Sequence, residues 1–160
     1  MYIQQLMMII ENILKTNSKL PLSKKVIVNV LFTYGLINGK LNEVLKPYGI
    51  SIQQFNVLRI LRGQKGTPAS LETIQERMIN KMSNTTRLID KLIKKGFVHK
   101  QININNKRKI DITITSLGLG ALLEIDVLID STEQNIVGDL SDIEAQELIR
   151  LLGKIRLIAN

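Results

Sequence analysis

Between Asn80 and Ile110 the sequence places Lys81, Arg87, Lys91, Lys94, Lys95, Lys100, Lys107, Arg108 and Lys109 against a single acid, Asp90. Nine minus one is +8, which equals the net charge of the whole chain. The segment Ile112–Ile149 is the reverse: Glu124, Asp126, Asp130, Glu133, Asp139, Asp142, Glu144 and Glu147, with no Lys or Arg. Cations gathered in one stretch are the footprint of a polyanion site, because Lys and Arg neutralise phosphates and release their counterions. A Lys-rich helix can also be an ordinary solvated face, so the residues between the cations decide.

The remaining reactive residue types do not assemble into a catalytic set. There is no cysteine, which excludes disulfides, thiol redox sensing, a thiolate nucleophile and Cys-ligated zinc or iron–sulfur sites. The one histidine, His99, cannot form a multi-histidine metal site. It reads as a partly exposed strand residue or a phosphate contact. Walker A, G-x-S-x-G and strand-following G-x-G-x-x-G patterns are missing. The acids of 124–147 are spaced like a solvated helix face. Tryptophan is absent and aromatics are 4%, against single-strand binding by stacking. Met1, Met7, Met8, Met78 and Met82 are scattered and read as core packing. No enzyme, cofactor or metal is expected. The longest apolar run is Leu6–Ile10, far short of the ~20 residues of a membrane span. The N-terminus lacks a secretory pattern, so a cytoplasmic protein of one domain is expected at 160 residues.

The elements that must hold the cations follow from periodicity. Ile3, Leu6, Ile10, Ile13 and Leu14 predict a short amphipathic helix over residues 2–15, with a break at Thr16-Asn17-Ser18. A long helix opens at Pro21-Leu22-Ser23, carries Val26, Val30, Ile37, Leu41 and Leu45 as its stripe, and ends at Pro47-Tyr48-Gly49. Ser51 and Gln54 form a capping box for a helix burying Phe55, Leu58 and Leu61 and stopping near Gly63–Gly66. Ser70 caps a short helix to about Met78, burying Leu71, Ile74 and Met78. After a tight break, Asn80 is expected to cap a helix over 81–95, ended by Gly96. Its buried face would be Leu88, Ile89, Leu92 and Ile93; its polar face Ser83, Asn84, Thr86, Arg87, Lys91 and Lys94.

The period then changes from 3.6 to 2. Phe97–Ile102 and Ile110–Ile114 predict two strands around a polar, basic tip, Asn103 to Lys109. Thr115 or Ser116 starts a long helix with Leu117, Ala121, Leu122, Ile125, Leu128, Ile129 and Ile136 on its apolar side, Gly118 and Gly120 lying where fraying costs least. Ser141 and Glu144 form a second capping box, for a last helix burying Leu148, Leu151, Leu152 and Ile155. The fold class is mainly α: a winged helix-turn-helix with a helical dimerisation region and a two-stranded β-wing. Such a helix can enter a DNA major groove while the tip, with Asn106, Lys107, Arg108 and Lys109, reaches the adjacent minor groove or phosphates.

These residues resemble the MarR family of winged-helix transcription regulators over about residues 22–157. Ser51-x-x-Gln54-Phe55-x-Val57-Leu58 is similar to the family's second core helix. Asn80–Val98 is similar to its recognition helix and following strand. Asn105–Thr115 resembles its D-x-R wing, and Ile114-Thr115-Ser116-Leu117-Gly118 its entry to the dimerisation helix. Arg108 stands where the family has the wing arginine, but Asn106 stands where it has the acid.

The resemblance implies a homodimer built by helices at about 20–47 and 116–158, with a DNA-binding lobe at about 50–115. The N-terminal extension, residues 1–18, falls outside the family pattern, and 19–160 is the family-type domain. It further implies a sequence-specific regulator, a repressor, bound to a pseudo-palindromic double-stranded operator and released by a small-molecule effector. A nonspecific chromatin-like DNA binder and a winged-helix protein-interaction module are the alternatives.

Overall fold

A long helix follows Pro21, whose carbonyl accepts from the Lys25 N–H at 3.0 Å. This α1, Leu22–Leu45, ends in a 3-10 turn at Lys46–Tyr48 closed by Gly49, as the Pro-Tyr-Gly break predicts. The computed structural model describes residues 10, 12–16, 19–104 and 106–159. It divides into two units, residues 1–40 and 41–160. Of the helix expected over 2–15, the described part is one turn at Ile10 and residues 12–13, with the Leu14 N–H on the Ile10 carbonyl at 3.0 Å. Residues 1–9, 11, 17 and 18, which carry the rest of that expectation, lie outside the described residues. Within the expected α1 stripe only Leu41 and Leu45 are buried; Val26 and Val30 are exposed.

The second unit is built on α2, Ile52–Gly63. The Ser51 N–H donates to Gln54 Oε1 at 3.0 Å and the Gln54 N–H to Ser51 Oγ at 3.3 Å, the reciprocal pair read from the sequence. Phe55, Val57, Leu58 and Leu61 enter the core. Ser70 caps α3, Leu71–Arg77, by accepting from the Thr73 N–H at 3.1 Å. Ile74 and Met78 are buried as expected, but Leu71 is exposed because it opens α3 on the solvent side. Helix α4, Thr85–Lys94, packs Ile89 and Leu92 into the same core. Gly96, at φ +74°, takes the left-handed position that ends it.

Strands β1, Val98–Ile102, and β2, Ile110–Ile114, pair antiparallel, with Val98 opposite Ile114 and Ile102 opposite Ile110. Ala69 adds a further rung that the sequence reading missed: its N–H donates to Ile112 O at 2.9 Å and its carbonyl accepts from Ile112 N–H at 3.0 Å. Helix α5, Ser116–Val137, starts at Thr115, whose Oγ1 accepts from the Gly118 N–H at 3.0 Å. Gly118 is not there because fraying is cheap. A β-carbon at 118 would collide with the Phe97 carbonyl oxygen and stand 3.0 Å from Ile114 Cγ1, so only glycine lets α5 start against the hairpin. Leu122, Ile125 and Ile129 are buried, whereas Leu117 and Leu128, expected with them, are exposed. An Arg62–Asp126 ion pair ties α2 to α5.

The last helix, α6, Asp142–Ala159, carries the second capping box. The Ser141 N–H and Oγ–H donate to Glu144 Oε2 at 2.9 and 2.7 Å. The expected burial of its stripe does not occur. Leu148, Leu151 and Ile155 are exposed and Leu152 is half-buried. Among the described residues, that face is only partly covered.

Candidate nucleic-acid interface

The connection from α3 to α4 is a tight, hydrogen-bonded turn. Asn80 does not cap the helix. Its Oδ1 accepts from the Met82 N–H at 3.0 Å and its carbonyl from the Ser83 N–H at 3.2 Å. With Asn80 used in this turn, Asn84 becomes the cap, accepting from the Arg87 N–H at 3.1 Å. The helix therefore starts at Thr85, four residues later than the sequence reading placed it. Gln75 holds the turn from α3: its Nε2 donates to Lys81 O at 2.8 Å, and its Oε1 accepts from the buried Thr85 hydroxyl. Nothing in the local pattern marks Gln75 or Thr85, because their pairing spans ten residues. Met82, read as core, is 92% exposed because it lies on this turn rather than on a helix face.

One face of α4 presents Thr86, Arg87, Asp90, Lys91 and Lys94 to solvent, with Asn84 exposed at the cap. The opposite face buries Thr85, Ile89 and Leu92, with Leu88 and Ile93 half-buried. Ser83 is half-buried, and its Oγ, shielded from solvent, has no hydrogen-bond partner. Arg87 and Lys91 border a shallow groove with Gln53 of α2, a residue the sequence reading did not single out.

The wing tip is closed by its own asparagines. The Asn103 N–H donates to Lys109 O at 3.0 Å, the Asn106 N–H to Asn103 Oδ1 at 2.8 Å, and the Lys109 N–H to Asn106 O at 2.8 Å. Asn103 Nδ2 reaches both Asp111 carboxylate oxygens at 3.0 and 3.1 Å. Asn106 Oδ1 accepts from the backbone N–H of Arg108 at 3.1 Å. Asn106, Lys107, Arg108 and Lys109 are all exposed. The wing and α4 meet at a small groove to which Thr86 and Asp90 contribute from the helix and Lys100 and Ile110 from the strands. The exposed α4 cations and the wing thus belong to adjoining surfaces of one unit. Among the described residues no group of three or more His, Cys, Asp or Glu could hold a metal ion. No described helix is long and apolar enough to cross a membrane.

The MarR family model matches residues 50–110, which run from just before α2 to the start of β2. The multiple antibiotic resistance protein MarR of Escherichia coli K12 is 30% identical over 117 residues, 72% of this chain and 79% of that protein. The chain belongs to the MarR family. A MarR-like transcription regulator from Bacillus cereus ATCC 10987 superposes with a TM-score of 0.77 at 25% identity, covering 86% of this chain and 98% of that one. A mutant MarR from Escherichia coli, solved in complex with operator DNA, has a TM-score of 0.73 at 24% identity, covering 85% of this chain and 99% of that one. As a MarR-family member the chain is a transcription regulator and not an enzyme. Its fold is the mainly helical winged-helix arrangement with a two-stranded sheet. In this chain the neutral Asn106 accepts from the backbone N–H of Arg108 at the wing tip.

Proposed function

We propose that this MarR-family protein is a homodimeric repressor that binds a pseudo-palindromic double-stranded operator. In this reading α4 lies in the major groove, where Asn84, Thr86 and Arg87 meet base edges and Lys91 and Lys94 meet phosphates, while Ser83, whose hydroxyl is shielded from solvent, lies behind them. Asn106, Lys107, Arg108 and Lys109 reach the neighbouring minor groove. The observation that carries it is the exposed row Arg87, Lys91 and Lys94 on a helix bordering the same groove as the basic wing. The operator complex of the Escherichia coli relative supports the choice of DNA as polyanion. The dimer, built by the helices at about 20–47 and 116–158, is supported by the apolar face that α6 leaves exposed. Release by a small-molecule effector, which the family implies, belongs to the same proposal.

A titration against selected and random duplexes at several salt concentrations tests it. Preference for the selected duplex by about 10³ or more is the expected result. Equal affinity for both would make the protein a nonspecific binder, and no duplex affinity would leave a protein-docking module.

A further inference from the structure

The face of the hairpin that enters the core does not stop at the core's edge. Val98, Lys100 and Ile102 of β1 share one face with Ile114, Ile112 and Ile110 of β2, by register. Along that face burial falls away toward the tip. Val98 and Ile112 are buried, Ile110 is 40% exposed, Ile102 is 65% exposed, and Ile104, just beyond β1, is 89% exposed. An exposed isoleucine in a loop gains nothing for folding. Here the preceding Asn103 donates to Asp111, and Asn106 accepts from the Arg108 N–H in the turn that follows. The same tip carries Lys107, Arg108 and Lys109, so a hydrophobic point is set among cations. Ile110 and Lys100 also line the groove shared with Thr86 and Asp90 of α4. The apolar strip is thus continuous with the surface that α4 presents.

We propose that Ile104, backed by Ile102 and Ile110, is an apolar wedge that enters the DNA minor groove beside Arg108 and makes binding depend on how easily the flanking base steps open. This rests on the DNA-binding reading above. The chemistry selects the occupant. An apolar side chain alone would suit a protein partner, but one on the same wing tip as Lys107, Arg108 and Lys109 suits a polyanion whose groove has sugar walls and stacked bases. Apolar side chains inserted at the minor groove unstack a base step and bend the duplex, which is cheapest at pyrimidine–purine steps such as TA. Ile104 would then select sequence outside the half-sites read by α4, without a single base hydrogen bond.

The test is selection from a pool of random duplexes by the full-length wild type, Ile104→Ala and Ile104→Val. Fluorescence anisotropy follows on duplexes that share the enriched half-sites but differ in flank, TA-containing or G·C. The wild type should enrich flexible A·T-containing flanks and favour them by about tenfold, the scale of other directed contacts. Ile104→Ala should enrich the same half-sites with unselected flanks and bind both duplexes alike. Ile104→Val should keep most of the preference. Ile104 is exposed, so folding is not at stake, and unchanged thermal melting checks this. A flank preference that survives Ile104→Ala overturns the wedge while leaving the DNA-binding reading intact. Failure of the wild type to enrich any duplex overturns that reading itself. Loss of binding to anionic lipid vesicles in Ile104→Ala, with DNA binding unchanged, would assign the apolar tip to a membrane surface instead.

Discussion

Arg108 stands in a wing tip whose turn is held by an amide rather than by a carboxylate. The oxygen of Asn106 is spent on the Arg108 backbone N–H, so it sets where the arginine leaves the chain rather than holding the guanidinium. An arginine aimed in this way makes planar contacts that lysine cannot copy. Arg108→Ala should cost about 1–3 kcal/mol in operator binding, with only part recovered by Arg108→Lys and a smaller loss for Lys107→Ala. Equal losses at 107, 108 and 109 in anisotropy titrations, with full rescue by lysine at 108, would reduce all three to an undirected positive field. Asn106→Ala should also weaken binding, because it removes the acceptor that closes the turn. Asn106→Asp keeps that acceptor and should stay near wild type despite its added negative charge. At this scale the sequence made the cations legible, since their types and order are enough. It did not reveal Gln75, whose importance lies in two contacts across the turn, to Lys81 and Thr85.

Elements were readable where a single cap candidate lay within three or four residues of its partner. Ser51 with Gln54 and Ser141 with Glu144 are such pairs, and both form as expected. The start of α4 was misread because two asparagines four residues apart compete for the role of cap. The competition is settled by Gln75 and the buried Met78, which hold residues 78–84 as a turn. Gly118 was misjudged for a similar reason: its neighbour in space, Phe97, is distant in sequence. Gly118→Ala forces a β-carbon against the Phe97 carbonyl. It should destabilise the fold by about 1–3 kcal/mol, as overpacking does, seen as a lowered thermal midpoint; an unchanged midpoint would show that α5 can slide away from the hairpin. The hydrogen bonds that Glu144 accepts from the Ser141 hydroxyl and backbone hold its carboxyl below the usual carboxylate range. A carboxyl depressed in the folded state contributes stability above its unfolded value and loses it as pH falls through the folded one. Amide exchange in the first turn of α6 should therefore quicken relative to the rest of the helix on acidification below the ordinary carboxylate range, and Glu144→Gln should flatten that pH dependence.

At the scale of the whole molecule, the exposed side chains of α6 were illegible as exposed, because an apolar stripe looks the same whether its cover comes from its own chain or another. Ile143, Leu148, Ile149, Leu151, Leu157 and Ile158 all face solvent in the single chain. Light scattering at micromolar concentration should give a dimer, and Leu151→Asp with Ile155→Asp should give monomers that still melt cooperatively. A wild-type monomer would remove the dimer from the proposal. Charge sets the second expectation. If about 8 phosphates are neutralised per dimer, log K should fall with log salt at a slope near about −7. A slope flatter than about −2 would place the interface away from residues 81–109. Lys91→Glu with Lys94→Glu should weaken all duplexes alike.

The paired bonds between Ala69 and Ile112 turn the hairpin into a cantilever. Ile112 is the clamp, and everything from there to Asn106 overhangs it. A load at the tip is carried back through β2 to the clamp and the segment just before α3, and through β1 to α4, to which Gly96 joins the hairpin. The pitch of the wing is therefore set in part from Gln64–Ser70, a stretch bearing none of the cations of α4 or the wing tip. Substitutions there, such as Ala69→Pro, which deletes the donor of one clamp bond, can re-aim the tip while every side chain of α4 and the wing stays the same.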